Sequence, residues 1–295
     1  MKIPRLNRDI LFCAIAFLVW AIIIIVIHGN HSYFAMPLPA VEVRQDDPTQ
    51  YSPGQPMVDM GQAHRALADE KKPAERARIL EAMAVACFNR YSAQRAPSYL
   101  DSAQYYEELA IQEAPGVAGY YYNLARVFTE KKDFVSAKAN YEKTLAADPK
   151  HFMSYHNLGM LSLYEFKNAD QAQNYFEKAL AIDSSLPVDN YMLAQIALQK
   201  KNILSAIQHY DRELRIYTGP QNASSNLVAD KANLRLAATL SALELAMLYS
   251  TASPNGLLAQ SYFNDYLKLE TDADRKQNSM REFQNHWPNS GPIVP

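Results

Sequence analysis

Glycine is scarce, nine residues in a chain of 295. None falls in a G-x-x-x-x-G-K or G-x-G-x-x-G string, so no phosphate-cradling loop is offered, and all-β architectures are disfavoured. G-x-S-x-G and H-E-x-x-H are absent too, which removes the nucleophile elbow and the helix-borne zinc pair. Cysteine is limited to Cys13 and Cys87, too few for a thiolate zinc cluster, and Cys13 lies in an apolar run, so no intramolecular disulfide is expected. Neither sign of charge dominates: the formal net charge is −2, without the basic footprint of a nucleic-acid binder. His151 and His156 are five apart, off the i, i+4 spacing that would place two ligands on one helix face. Cys87 reads as a small buried hydrophobe, and Glu107, Glu108, Asp183, Asp211 and Glu213 read as members of exposed, charge-paired helix faces. No catalytic constellation, cofactor set or metal set emerges, and a non-enzymatic protein is expected.

What is present is a repeat. Tyr121-Tyr122-Asn123-Leu124-Ala125 aligns with Tyr155-His156-Asn157-Leu158-Gly159 at a period of 34 residues, and a looser third copy runs through Tyr191-Met192-Leu193-Ala194. Each opening has a second half: Ala137 and Tyr141, Ala172 and Phe176, then Ala206 and Tyr210. Small residues on one helix opposite aromatics on the next let two helices interdigitate at about 8–10 Å. Asp148-Pro149 ends a helix, because the residue before proline is pushed out of the α region. One such pair cannot bury its own apolar face, so neighbours must stack.

Over residues 118–220 the pattern resembles the tetratricopeptide repeat (TPR). Tyr121, Leu124, Ala125, Phe128, Ala137, Tyr141 and Pro149 fall on the family's aromatic, small and proline markers; Tyr155, Leu158, Gly159, Ala172, Phe176 and Ala179 do so in the second copy. The second copy has one extra residue in its turn near Lys167-Asn168-Ala169 and Ser184 in place of the closing proline; the third has Asn190 at the first aromatic position. The resemblance implies an all-α helix-pair solenoid. It also implies a protein-binding groove lined by first-helix residues: Tyr122, Arg126 and Glu130, then His156, Met160 and Leu163, then Tyr191, Gln195 and Gln199. Tyr122 and Arg126 stand where carboxylate-clamp members carry a lysine and an asparagine, so the clamp is not carried over.

The flanks complete the layout. Ile10 to Ile27 is an unbroken apolar run, roughly 27 Å as a helix. It is longer than a signal-peptide core and lacks a nearby A-x-A site, so a retained anchor over residues 10–28 is expected. Lys2, Arg5 and Arg8 precede it, and no Lys or Arg follows until Arg44, which keeps residues 1–9 inside and sends the body across the membrane. Residues 29–56 carry five prolines (Pro37, Pro39, Pro48, Pro53, Pro56) and read as an extended linker. Residues 57–117 read as divergent N-terminal helices, with Ala103, Tyr106 and Ala110 echoing the second half of a repeat. Residues 221–286 read as a C-terminal helical cap, in part a degenerate repeat, and 287–295 as a tail.

The expectation is a single-pass TPR scaffold or chaperone-like adaptor. It would meet the membrane through Ile10–Ile27 and protein partners through its groove, on the extracytoplasmic side, most simply the periplasmic face of a bacterial inner membrane. Its place would be envelope protein assembly, secretion or maturation. The alternative is a structural subunit of a membrane protein complex. Over residues 118–220 twelve Lys or Arg meet eleven Asp or Glu, so long-range charge does little of the attracting.

Overall fold

Twelve helices carry the architecture in the computed structural model, which describes residues 59–184, 186, 188–218, 228–251 and 255–286. They are α1 (Met60–Asp69), α2 (Pro73–Gln94), α3 (Ser98–Glu113), α4 (Ala118–Glu130), α5 (Phe134–Ala147) and α6 (Phe152–Tyr164). The series continues with α7 (Ala169–Ile182), α8 (Asp189–Gln199), α9 (Ile203–Thr218), α10 (Val228–Thr251), α11 (Gly256–Leu269) and α12 (Ala273–His286). No strand occurs among the described residues. The chain divides into two compact units, Met1–Ala40 and Val41–Pro295, and all described residues belong to the second. The expected anchor (10–28), linker (29–56) and tail (287–295) lie outside the described residues. Among the described residues no helix is long and apolar enough to cross a membrane.

The helices pair in chain order, α2 with α3, α4 with α5, α6 with α7, α8 with α9 and α10 with α11, and each pair packs on the next. Five hairpins therefore stack where the sequence shows two clean copies and a looser third. One device closes successive hairpins. Lys132, Lys167 and Lys201 take left-handed backbone, at φ 62°, 54° and 59°. The next residue then caps the second helix: Asp133 accepts from the Ser136 N–H at 3.1 Å, Asn168 from Gln171 at 3.0 Å and Asn202 from Ser205 at 3.1 Å. Each cap satisfies an otherwise orphaned N–H. Arg95, at φ 55°, takes the same left-handed backbone in the first hairpin, where Pro97 stands at the N-cap without a side-chain hydrogen bond. The extra residue of the second copy is absorbed in its turn, 165–168 against 131–133 and 200–202, and the helices that follow stay in register.

Packing follows the small–aromatic pattern. Ala137 and Tyr141, Ala172 and Phe176, and Ala206 and Tyr210 are all fully buried. The tightest approach is at Gly159, where a Cβ would lie 2.6–2.9 Å from three atoms of the Phe176 ring, so any larger residue collides with it. Arg76 ties the leading helix down: its Nε donates to Glu113 at 2.7 Å and its Nη1 to the carbonyls of Leu67 and Glu70 at 2.8 and 3.2 Å. At the far end Phe263 stacks on Phe283 with centroids 4.1 Å apart, fixing α12 on α11.

Candidate protein-binding face and buried acidic sites

The nine groove residues separate into two groups. Tyr122, His156 and Tyr191 are buried, 5, 3 and 5% exposed, which corrects their assignment to an open groove. They hold equivalent places in α4, α6 and α8, and each lies over the second-helix aromatic of its own hairpin. Tyr122 is 5.8 Å from Tyr141, His156 6.1 Å from Phe176 and Tyr191 5.6 Å from Tyr210, ring to ring. The next turn supplies further partners: Tyr122 sits 4.6 Å from the His151 ring and its hydroxyl accepts from Asn157 at 3.5 Å. These rings complete the core because one aromatic alone does not fill the space between two helices lined with alanine and glycine.

The second group keeps solvent contact. Arg126, Glu130, Met160, Leu163 and Gln195 are half-buried and Gln199 is exposed. Arg126 lays its guanidinium 4.7 Å from the Phe88 ring and 5.9 Å from Tyr122, a cation–π arrangement. Glu130 is 3.7 Å from Arg95. Gln195 turns inward, donating to the Tyr210 hydroxyl at 2.6 Å.

Two acidic residues expected on solvated faces are buried instead. Glu213, on α9, accepts the N–H of Val188 at 3.0 Å and so holds the start of α8, where Val188 has φ 80°, a strained value for a β-branched residue. Burial pushes its carboxyl up to about 8, against the lowering effect of the backbone N–H groups. Next to Val188, Asp189 Oδ1 is hydrogen-bonded with His156 Nδ1 at 2.5 Å, with Asp189 and His156 both buried. Burial also raises Asp189, opposed by His156. Glu244, on α10, is pushed up to about 7 by burial near Gln195.

Glu107, on α3, is the second. A 34-residue offset from Tyr141 lands on it, and the same offset from Tyr122 lands on Phe88. The first hairpin thus has a carboxyl where each of the next three has a ring. A small recess of about 10 Å³ stands there, lined by Ala84, Val85 and Phe88 of α2, Ala103 and Glu107 of α3, and Asn123, Arg126 and Val127 of α4. Glu107 is 1% exposed, and its Oε2 has no hydrogen-bond partner. Burial, then the negative Glu81, hold its carboxyl well above the usual range, while Asn123 and Arg126 pull it down. Glu81 is buried as well and accepts from Asn123 at 3.4 Å. The signal is in the sequence: Ala103 aligns with Ala137, and four residues on Glu107 aligns with Tyr141.

Cys87 is buried and its thiol is raised by burial. Among the described residues no group of three or more His, Cys, Asp or Glu could hold a metal ion.

The tetratricopeptide-repeat family model matches residues 116–185. That stretch is made of tetratricopeptide repeats. The stack of helix pairs runs beyond it in both directions. Pseudomonas aeruginosa pilF is 18% identical, covers 74% of this chain and 95% of its own, and superposes with a TM-score of 0.50. A MamA double mutant (RS-1) is 15% identical over 69% of this chain and 97% of its own, TM-score 0.49. YrrB, described as a TPR protein with an unusual peptide-binding site, is 14% identical over 74% and 97%, TM-score 0.48. No curated protein matches the chain.

Proposed function

We propose that the chain is a membrane-anchored TPR scaffold or chaperone-like adaptor that holds protein partners on the extracytoplasmic side, in envelope protein assembly, secretion or maturation. One observation carries the binding half of this reading. First-helix residues of successive hairpins, Arg126 and Glu130, Met160 and Leu163, then Gln199, stay accessible although the helices around them are closely packed. A mixed row of apolar, amide and charged groups suits an extended or helical segment of another protein. The membrane half rests on the apolar run Ile10–Ile27 and the one-sided Lys2, Arg5 and Arg8. Two measurements test the reading. Alkaline phosphatase fused after Pro295 should be active and a fluorescent protein in the same place dark; the opposite pattern overturns the topology. Proteins captured from detergent-solubilised membranes by the full chain should be lost from a Met160→Ser, Leu163→Ser, Gln199→Ala variant with unchanged melting. Full retention places binding off this face.

A further inference from the structure

Two positions in the hairpin turns carry residues that the local backbone does not ask for. The first is the left-handed residue before the cap, Lys132, Lys167 and Lys201. Glycine or asparagine takes that conformation at little cost, and lysine does not. The second is the second residue of the capped helix: Val135 in α5, Leu204 in α9 and Leu257 in α11. An acidic side chain there would favour the helix dipole, yet α5, α9 and α11 have none in their first turn. The aliphatic side chains that stand there are exposed, by 73, 68 and 84%. In α7 that place is Asp170, and its longer turn exposes Phe166 instead.

These turns lie side by side along one edge of the stack. Glu130 of the α4–α5 turn is 3.7 Å from Arg95 of the α2–α3 turn. Lys138 of α5 stands 5.6 Å from the Phe166 ring, and Lys200 reaches Asp170 at 2.6 Å. With Ile203 and Leu258, six of the nine large hydrophobic residues exposed among the described residues sit on this edge. Its acids are mostly engaged: Asp101 with Lys131 at 2.7 Å, Asp170 with Lys200, Glu130 with Arg95, and Asp133 as a cap. Exposed Glu165 is one further acid, while Lys132, Lys167 and Lys201 make no ion pair among the described residues. The edge is thus close to balanced, and its apolar tips carry the contact while the free lysines set a preference for anionic surfaces.

The tips are separated by about one helix packing distance, roughly 10 Å, with caps and lysines between them. A protein partner needs a continuous dry face, whereas isolated apolar tips framed by cations suit the headgroup layer of a bilayer. We propose that this edge rests on an anionic bilayer surface, its apolar tips entering the headgroup layer and its three left-handed lysines meeting lipid phosphates. The choice of occupant rests on the proposed anchoring: Ile10–Ile27 would tether the body through residues 29–56, so that a weak surface contact becomes intramolecular.

The test uses the full chain reconstituted in phosphatidylcholine vesicles with and without phosphatidylglycerol. An environment-sensitive fluorophore is attached to Leu204→Cys, Leu257→Cys or Ile182→Cys in a Cys13→Ser background, where Cys87 is buried from the reagent. Ile182 is as exposed as Phe166 but lies at the other end of α7. Lipid with a nitroxide headgroup should quench the label at 204 and 257 and spare it at 182. Lys132→Gln, Lys167→Gln and Lys201→Gln together should weaken the contact about 10- to 100-fold, to the level seen without phosphatidylglycerol. The label on native Cys13, read with a deep-chain nitroxide lipid, reports the anchor separately. Quenching at Cys13 with none at 204 and 257 overturns the edge and leaves the anchor; no quenching anywhere overturns both. Quenching at 204 and 257 without quenching at Cys13 upholds the edge and overturns the anchor. Equal quenching at 182 overturns the edge as a distinct surface. A blue shift at 204 and 257 that nitroxide lipid does not quench shows a second copy covering the edge, and overturns the bilayer as its occupant.

Discussion

The first hairpin and the three that follow share one register, 34 residues apart with one added in the 165–168 turn, but solve the same packing problem in opposite ways. In α4–α9 a second-helix ring (Tyr141, Phe176, Tyr210) is covered by a first-helix ring (Tyr122, His156, Tyr191), and the space is closed by carbon. In α2–α3 the first-helix ring is kept as Phe88 and the second is replaced by Glu107, leaving a recess and a buried acid. A fold of this kind tolerates a polar group at a core position when the neighbouring hairpins supply the stability, because stack energy is shared between neighbours. The difference marks where the molecule gives up packing for chemistry.

The comparison breaks most visibly in the ring-filled hairpins. Changing Tyr122, His156 and Tyr191 together to alanine should leave residues 118–218 without cooperative unfolding, each tyrosine costing about 3–5 kcal/mol. Retention of the wild-type urea midpoint would return these side chains to the surface. Next in size, Tyr141→Glu transplants the first hairpin's solution into the second and should destabilise by about 4 kcal/mol or more at neutral pH, since Met160 stands where Arg126 serves the first hairpin, although Asn157 matches Asn123. The reciprocal change, Glu107→Tyr, should stabilise by about 1–2 kcal/mol at pH 8, read from the same urea curves.

The pH dependence sharpens the contrast. Burial raises the Glu213 carboxyl from an ordinary 4.5 to about 8 in the folded chain. Its folded pKa is raised, so the folded state holds more protons between those values and stability falls as pH rises. The contribution is complete below about pH 4.5 and lost through about pH 8, with a slope on the order of 1 kcal/mol per pH unit. The urea midpoint should therefore drop from pH 5 to pH 8, Glu213→Gln should flatten the fall, and Glu107→Gln should flatten it separately. A rising midpoint would show that neither acid is buried in solution. The smallest effect expected is from Arg76→Ala, about 1 kcal/mol, with faster amide exchange confined to α1, which Arg76 holds through Leu67 and Glu70.

The helical class, the hairpin order and the small–aromatic key were legible in Tyr121–Ala125 and its 34-residue echo, because alternation of size along a helix is a direct demand of close packing. The α1 helix and the α10–α12 cap were legible from apolar spacing, with bounds shifted by a few residues. The candidate site was less so. A tyrosine or histidine between packing positions is amphipathic, and the sequence does not say whether the next hairpin will cover it; His151, which lies over Tyr122, supplied that cover. Glu107 and Glu213 were misplaced for a related reason. Charge is read as exposure by default, and only alignment to Tyr141 in one case, and to Ala110, Thr144 and Ala179 in the other, shows a glutamate standing in a core column.

Gly159 constrains how this protein can change over time. With the Phe176 ring 2.6 Å from where a Cβ would stand, no substitution at 159 is open while Phe176 is present, whereas Phe176 can shrink first at the expense of a cavity. The two positions are therefore ordered as well as coupled: a lineage that exchanged glycine and phenylalanine for the alanine and tyrosine found at 125 and 141 would have to pass through a smaller residue at 176. A library randomised at both positions should show this as an asymmetric path, with every surviving route entering through the second helix.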